Sequence, residues 1–322
     1  MKYINVVIDN NSRHTDTYYT YGTSLDVKKG DIVKVPFNRG NKLKSAYVFQ
    51  DDVVPECDPA IIKEIESLDG NISLTSEIMD TCIWMKRRYG IKYLDAVKCF
   101  APNGKPAKEG KEKEPYKDVA GEPQIIKQLT DEQAMALAQI RQAVQEGRQE
   151  NFLIHGVTSS GKTEVYMQTI AEVIAAGKTA IMLVPEIALT KQITDRFIAR
   201  FGKENIAVLH SKLTKRERFD EWMRIRKGQA KIVIGARLGV FAPLDNIGVI
   251  ILDEEHEATY KSDMTPKYDT VDIALKRLMY FDGILILGSA TPSVVSYQRA
   301  REGIYHLIEL KQRYNNTPLP KV

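Results

Sequence analysis

The chain has 322 residues, 43% hydrophobic and 27% charged, the balance of an ordinary globular protein with room for two or three domains. No apolar stretch approaches the roughly 18 residues of a membrane span, and no signal-peptide core opens the chain. Three scattered cysteines, Cys57, Cys82 and Cys99, build neither a disulfide framework nor a zinc site, so a reducing cytoplasm is expected; a net charge of +4 requires any nucleic-acid footprint to be local.

In chain order, 4–8, 31–35 and 45–49 have strand character, with a turn at Lys29-Gly30-Asp31. A helix follows, capped by Thr75 or Ser76, with Ile78, Cys82, Met85 and Tyr89 on one face and Gly90 as its stop. Residues 1–100 thus read as a small β-rich domain. The stretch 101–120 is charged, broken by Pro and Gly, and has little to bury, which predicts a linker. From 121 to 322 strand-like runs (151–155, 180–184, 206–209, 231–235, 248–252, 284–287) alternate with helical ones (131–145, 164–176, 189–201 among them). Such alternation predicts an α/β domain with a parallel sheet and helices on both faces.

The most specific chemistry lies at Gly156-Val157-Thr158-Ser159-Ser160-Gly161-Lys162-Thr163, between a predicted strand and a predicted helix. That context marks a phosphate-binding loop. Its glycines let backbone N–H groups surround phosphate oxygens, and the helix N-terminus adds partial positive charge. Lys162 is expected to reach the β- and γ-phosphates of ATP and the Thr163 hydroxyl to bind Mg²⁺. A second apolar run ends in Asp253-Glu254-Glu255-His256. Asp253 is suited to hold the metal, and Glu254 to orient and activate an attacking water. Thr259–Tyr268 interleaves Tyr260 and Tyr268 with Lys261 and Lys267, a pattern that suits base stacking with phosphate contact.

Several blocks together resemble the motifs of superfamily-two helicases, and in detail those of the PriA family of bacterial replication-restart helicases (primosomal protein N′). They are Leu129–Gln133, Gly156–Glu164, Val184–Thr190, Val208–Ser211, Gly235-Ala236-Arg237 with Phe241-Ala242-Pro243, Asp253–His256 and Gly288–Ser293. The resemblance implies a RecA-like doubly wound first helicase lobe. Within it, Gln133 reads adenine, while His256, Ser289 and Thr291 couple nucleotide state to DNA grip. Arg237 and the Pro185–Thr190 loop hold the strand backbone. It further implies that the Tyr260–Tyr268 loop senses DNA, with Pro266 where some relatives carry tryptophan.

Residues 1–100 resemble the family's 3′-DNA-end-binding domain through Lys28-Lys29-Gly30 and Val35-Pro36-Phe37. Lys28, Lys29, Lys34, Arg39, Lys42 and Lys44 form one basic stretch, and Lys86, Arg87, Arg88 and Lys92 another. The family's end-binding motif is replaced by about Thr17-Tyr18-Tyr19, its following glycine by Asn38, and its strand-end lysine has no clear match near Lys63. A winged-helix domain, a second motor lobe with its arginine finger, and an inserted cysteine-rich zinc module have no counterpart in the sequence. The expected function is an ATP-dependent 3′→5′ DNA helicase of replication restart, represented by its amino-terminal part. A nucleotide- and DNA-binding fragment without turnover, or a different superfamily-two helicase, are the alternatives. The resemblance also implies ATP and Mg²⁺ as cofactors, with zinc belonging to the module whose ligands this chain lacks. Implied partners are forked, single-stranded and D-loop DNA, primosome proteins, a replicative-helicase loader and single-strand-binding protein, at the nucleoid and with no membrane.

Overall fold

The computed structural model describes residues 1–10, 12–101, 128–189 and 191–313. Beyond Ala101, the predicted linker lies outside the described residues, as does Thr190. Two compact units divide the chain, one built on Met1–Ala101 and one on the described residues from 128 onward, 263–267 excepted.

The first unit is an antiparallel sheet of β1 (Lys2–Ile8), β2 (Tyr19–Thr23), β3 (Asp31–Phe37), β4 (Lys42–Gln50) and β5 (Ser67–Ser73), in the order β2-β1-β4-β3-β5. Ile4, Val6 and Ile8 alternate along β1 and meet Val33, Val35 and Val48 in one apolar cluster, as a period of two dictates. Two helices complete the unit, α1 (Ser76–Tyr89) and α2 (Tyr93–Phe100). The Thr75 hydroxyl caps α1 by accepting the Ile78 N–H at 3.2 Å, and Gly90 ends it at φ +65°. Ile78, Cys82 and Met85 are buried as the periodicity predicts, while Tyr89 stays half-buried, edge-on to Trp84.

The second unit alternates helix and strand. It runs α3 (Asp131–Glu146), β6 (Asn151–Gly156), α4 (Lys162–Ala175), β7 (Thr179–Leu183), α5 (Lys191–Phe201), β8 (Ile206–Leu209), α6 (Lys215–Arg226) and β9 (Ile232–Gly235). It continues with β10 (Ile247–Asp253), α7 (Thr270–Phe281), β11 (Ile284–Ser289), α8 (Val294–Arg301) and β12 (His306–Leu310). Seven strands pair in parallel in the order β12-β6-β11-β10-β7-β9-β8. Val249 and Ile251 of β10 pack in a cluster with Ile140, Val165, Ile170 and Phe197 from α3, α4 and α5. Their neighbours Ile250 and Leu252 are equally buried, so the strand is covered on both faces. This is the doubly wound, RecA-like lobe expected.

The order of three central strands positions the chemistry. β11 lies between β6 and β10, with Asp253 opposite Gly288 and Ser289 opposite His155. The carboxyl ends of β6, β11 and β10 therefore emerge side by side, the edge where open α/β sheets bind ligands.

Candidate nucleotide site and basic surface

The phosphate loop is tied down from three directions. Val157 N–H donates to the Leu310 carbonyl at 3.2 Å, and Ser160 N–H closes a turn on Val157 at 3.0 Å. Thr158 and Ser159 form its exposed crest, Ser159 at φ +67°. Gly161, at φ +82°, is the N-cap of α4. A Cβ there would sit 2.2 Å from Gln133 Nε2, so glycine is required by space as well as by conformation.

That close neighbour is the third tie. Gln133 occupies the third position of α3 and is only 1% exposed. Its Oε1 accepts the Thr130 N–H at 3.0 Å while Thr130 Oγ1 accepts the Gln133 N–H, a complete capping box. Its Nε2 donates to the Ser160 carbonyl at 2.7 Å. The amide thus clasps the loop to the helix start, and only one N–H and one lone pair remain for an adenine edge.

Lys162 is nearly buried; its ammonium donates to the Gly156 carbonyl at 2.8 Å and lies 3.9 Å from Glu254 Oε1. Thr163 is half-buried one residue on. Across the sheet edge, Asp253 accepts the Tyr166 hydroxyl at 3.1 Å. Burial raises the Asp253 carboxyl above its usual pKa, the Glu254 charge adds to this, and Lys162 opposes it. Glu254 adopts φ +47°, left-handed backbone that a side chain rarely occupies. Lys162 and the Asp253–Glu254 carboxylates thus face one another, an arrangement that suits a nucleotide phosphate with a hard cation. No group of three or more His, Cys, Asp or Glu among the described residues could hold a metal by itself. Mg²⁺ usually takes only one or two protein carboxylates and completes its shell with water and phosphate.

The box is joined to the Gly288–Ser293 block. His256 Nδ1 lies 2.8 Å from Ser289 Oγ, which also accepts the Thr291 N–H at 3.0 Å. The Thr291 side chain is exposed. Sequence reasoning assigns Glu255 no role, yet the structure gives it definite bonds. It is buried, accepts the Ser293 N–H at 2.6 Å, and receives the hydroxyls of Ser293 and Ser296 at 3.2 and 2.9 Å. It therefore binds the box to the start of α8. Tyr166 is likewise absent from the sequence reading, because an aromatic at helical spacing reads simply as core.

The aromatic loop needs correction. Tyr260 and Tyr268 are 2% and 6% exposed. The Tyr260 hydroxyl donates to the Asp253 carbonyl at 2.7 Å, and Tyr268 packs edge-on against Phe241 at 4.9 Å. Neither ring offers a face to a base; burying an aromatic beside the box outweighs leaving it in water. Lys261 and Lys267 remain exposed. Arg237 donates to the Thr259 and Lys261 carbonyls at 3.1 and 2.7 Å, bracing this loop. In the Pro185–Leu189 segment, Ile187 is exposed and Glu186 accepts the Ser211 hydroxyl.

In the first unit the basic residues divide. Lys28 and Arg39 are exposed. Lys29 is not, contrary to its place in the expected footprint: it pairs with Asp80 at 2.5 Å. Lys86 similarly pairs with Asp16 at 2.5 Å and lies 4.4 Å over the Tyr93 ring, on which Tyr18 stacks. Lys63 donates to Asn38 O and Asn41 Oδ1, and Asn38 itself sits at φ +63°, a conformation asparagine tolerates.

The chain is similar to known proteins along most of its length. Residues 130–300 match the DEAD/DEAH box helicase family, and 5–102 match a 3′ DNA-binding domain. The replication restart protein PriA of Bacillus subtilis (strain 168) is 46% identical over 210 residues, 65% of this chain and 26% of that protein. PriA of Rickettsia felis is 34% identical over 305 residues, 94% of this chain and 45% of that protein. This chain thus spans less than half the length of these relatives. A solved structure of RecG bound to a three-way DNA junction aligns at 23% identity with a TM-score of 0.44, over 73% of this chain and 29% of that one.

Proposed function

Because this chain belongs to the DEAD/DEAH box helicases and, within them, to the PriA-type replication restart proteins, we propose that it supplies the ATP-binding lobe and a DNA-binding domain of a 3′→5′ helicase acting at abandoned forks. Residues 1–100 are the DNA-binding part and 121–322 the first motor lobe in this reading. One observation carries it: the phosphate loop, the Asp253-Glu254 pair and Ser289 all emerge from three adjacent parallel strands.

The chemistry follows from those residues. The loop amides and Lys162 hold the β- and γ-phosphates, and Lys162 gives its charge to them in place of the Gly156 carbonyl. Thr163 and Asp253 would hold Mg²⁺, which supplies charge neutralisation on the phosphate oxygens. Glu254 orients the attacking water and takes its proton at a carboxylate oxygen. Gln133 addresses adenine with the N–H and lone pair its clasp leaves over. The His256–Ser289 bond supports coupling, since it joins the residues beside the γ-phosphate to the strand end that leads to Thr291. On DNA, Lys28, Arg39, Lys261, Lys267 and Arg237 are backbone contacts. Primosome proteins, a helicase loader and single-strand-binding protein are the protein partners of this reading, at the nucleoid.

Titration of the chain with a fluorescent ATP analogue tests the proposal. Lys162→Ala should weaken binding at least tenfold, because the loop loses its only point charge toward the phosphates. Equal affinity of the two proteins would remove the assignment. Steady-state hydrolysis with and without forked DNA then measures turnover.

A further inference from the structure

A buried phenol reaches the candidate metal carboxylate. Tyr166 stands four residues after Lys162 on α4, so the two side chains lie on one face of the helix, toward the strand ends. The Tyr166 side chain is fully buried, yet its hydroxyl emerges at Asp253 and donates to Oδ1 at 3.1 Å. The space for it is made by an absent side chain. Gly288 pairs with Asp253 in the β10–β11 register, and a Cβ there would stand 1.6 Å from the Tyr166 hydroxyl and 2.8 Å from its ring. Helix spacing, strand register and a side-chain-free position on a third element thus converge on one hydrogen bond.

We propose that Tyr166 is a positioning residue for the metal: its hydroxyl, housed against Gly288, holds the Asp253 carboxylate in the orientation in which it meets Mg²⁺ with the nucleotide. The inference rests on the proposed ATP site. A bond from a separate element, α4, restricts the plane of a carboxylate that its own side chain would leave free to rotate. Partners of this kind orient metal ligands and, when removed, weaken metal affinity by about 10- to 100-fold. A tyrosine serving only as core would be replaceable by phenylalanine without consequence for the metal.

Binding of a fluorescent non-hydrolysable ATP analogue to the full chain, titrated with Mg²⁺ and repeated in chelator, tests this. Tyr166→Phe keeps the ring and should leave thermal stability and chelator affinity close to those of the parent, while raising the half-saturating Mg²⁺ concentration about tenfold. Gly288→Ala should give the same Mg²⁺ shift, because it drives the hydroxyl from its place. If Gly288→Ala fails to fold, Tyr166→Phe alone decides. Asp253→Asn separates the premise from the inference. If it abolishes the Mg²⁺ enhancement while Tyr166→Phe titrates like the parent, Tyr166 is structural and the inference falls. If Asp253→Asn titrates like the parent, the metal assignment itself falls. A parallel loss of stability and of both affinities in Tyr166→Phe also overturns the positioning role.

Discussion

The clasp made by Gln133 predicts that two substitutions at one position will behave in an order that capping alone cannot produce. Gln133→Ala removes two hydrogen bonds, 3.0 Å to the Thr130 N–H and 2.7 Å to the Ser160 carbonyl. Thr130 is only partly buried at a helix start, so water can replace part of the first; that loss is about 0.5–1 kcal/mol. Ser160 is buried, and its orphaned carbonyl adds about 1–3 kcal/mol. The sum is about 1.5–4 kcal/mol, equivalent to a urea midpoint lower by about 1–2 M. Gln133→Glu retains the acceptor of the capping box but replaces the donor by a carboxylate aimed at a carbonyl. It should be at least as damaging as alanine. Trp222, buried in the second unit, reports the transition by fluorescence once Trp84, the only other tryptophan, is changed to phenylalanine. A glutamate variant as stable as the parent would show that only the cap matters and that the loop is held elsewhere.

The Glu255 carboxylate implies that Glu255→Ala, which strands the Ser293 N–H and two hydroxyls, lowers stability by about 2–3 kcal/mol; calorimetry should show a midpoint about 5–10 °C lower, and an unchanged midpoint would refute its capping role. For DNA, affinity for single strands should fall with salt. Exchanging Lys28 and Arg39 for Gln should flatten the log–log slope by about 1.4 units, at roughly 0.7 per phosphate. Lys29→Gln should leave the slope unchanged because Asp80 already holds that charge, and a flatter slope for Lys29→Gln alone would restore it to the DNA face. Burial pushes the Cys99 thiol up to about 12. At pH 8 its thiolate fraction is therefore on the order of one in ten thousand, and iodoacetamide should give one adduct, at exposed Cys57, by mass spectrometry; rapid second labelling at Cys99 would contradict its burial.

The sheet and its motifs were legible because their signals are local. Strands β6 to β11 are apolar runs with turn signals at both ends, and their predicted limits differ from the observed ones by two residues or fewer. β12 is unmarked in the sequence reading, since His306-Leu307-Ile308-Glu309-Leu310 is short and half polar, as an edge strand beside β6 permits. β5 is harder still: Ser67-Leu68-Asp69-Gly70-Asn71-Ile72-Ser73 pairs by its main chain to β3 and shows almost no apolar alternation. In the site, spacing identifies the phosphate loop because contiguous backbone makes it. It says nothing about which side chain of Asp253–His256 turns inward, or that Tyr166 and Asp253, 87 residues apart, would meet. The stacking role expected of Tyr260 and Tyr268 failed for the same reason. Interleaved aromatic and basic residues describe a binding strip and a packed loop equally well until tertiary contacts decide.

The left-handed backbone at Glu254 sets stability against chemistry at a single position. Holding an L-residue there costs about 1–2 kcal/mol that glycine avoids, and asparagine avoids in part. The conformation turns the chain sharply at the end of β10, so that two consecutive carboxylates follow the strand. A library of variants screened for thermal resistance alone would be drawn toward glycine at 254 and would be rewarded for discarding the group proposed to activate water. Here the more robust molecule and the working one are different sequences, separated by one side chain whose awkward backbone is the condition of its usefulness.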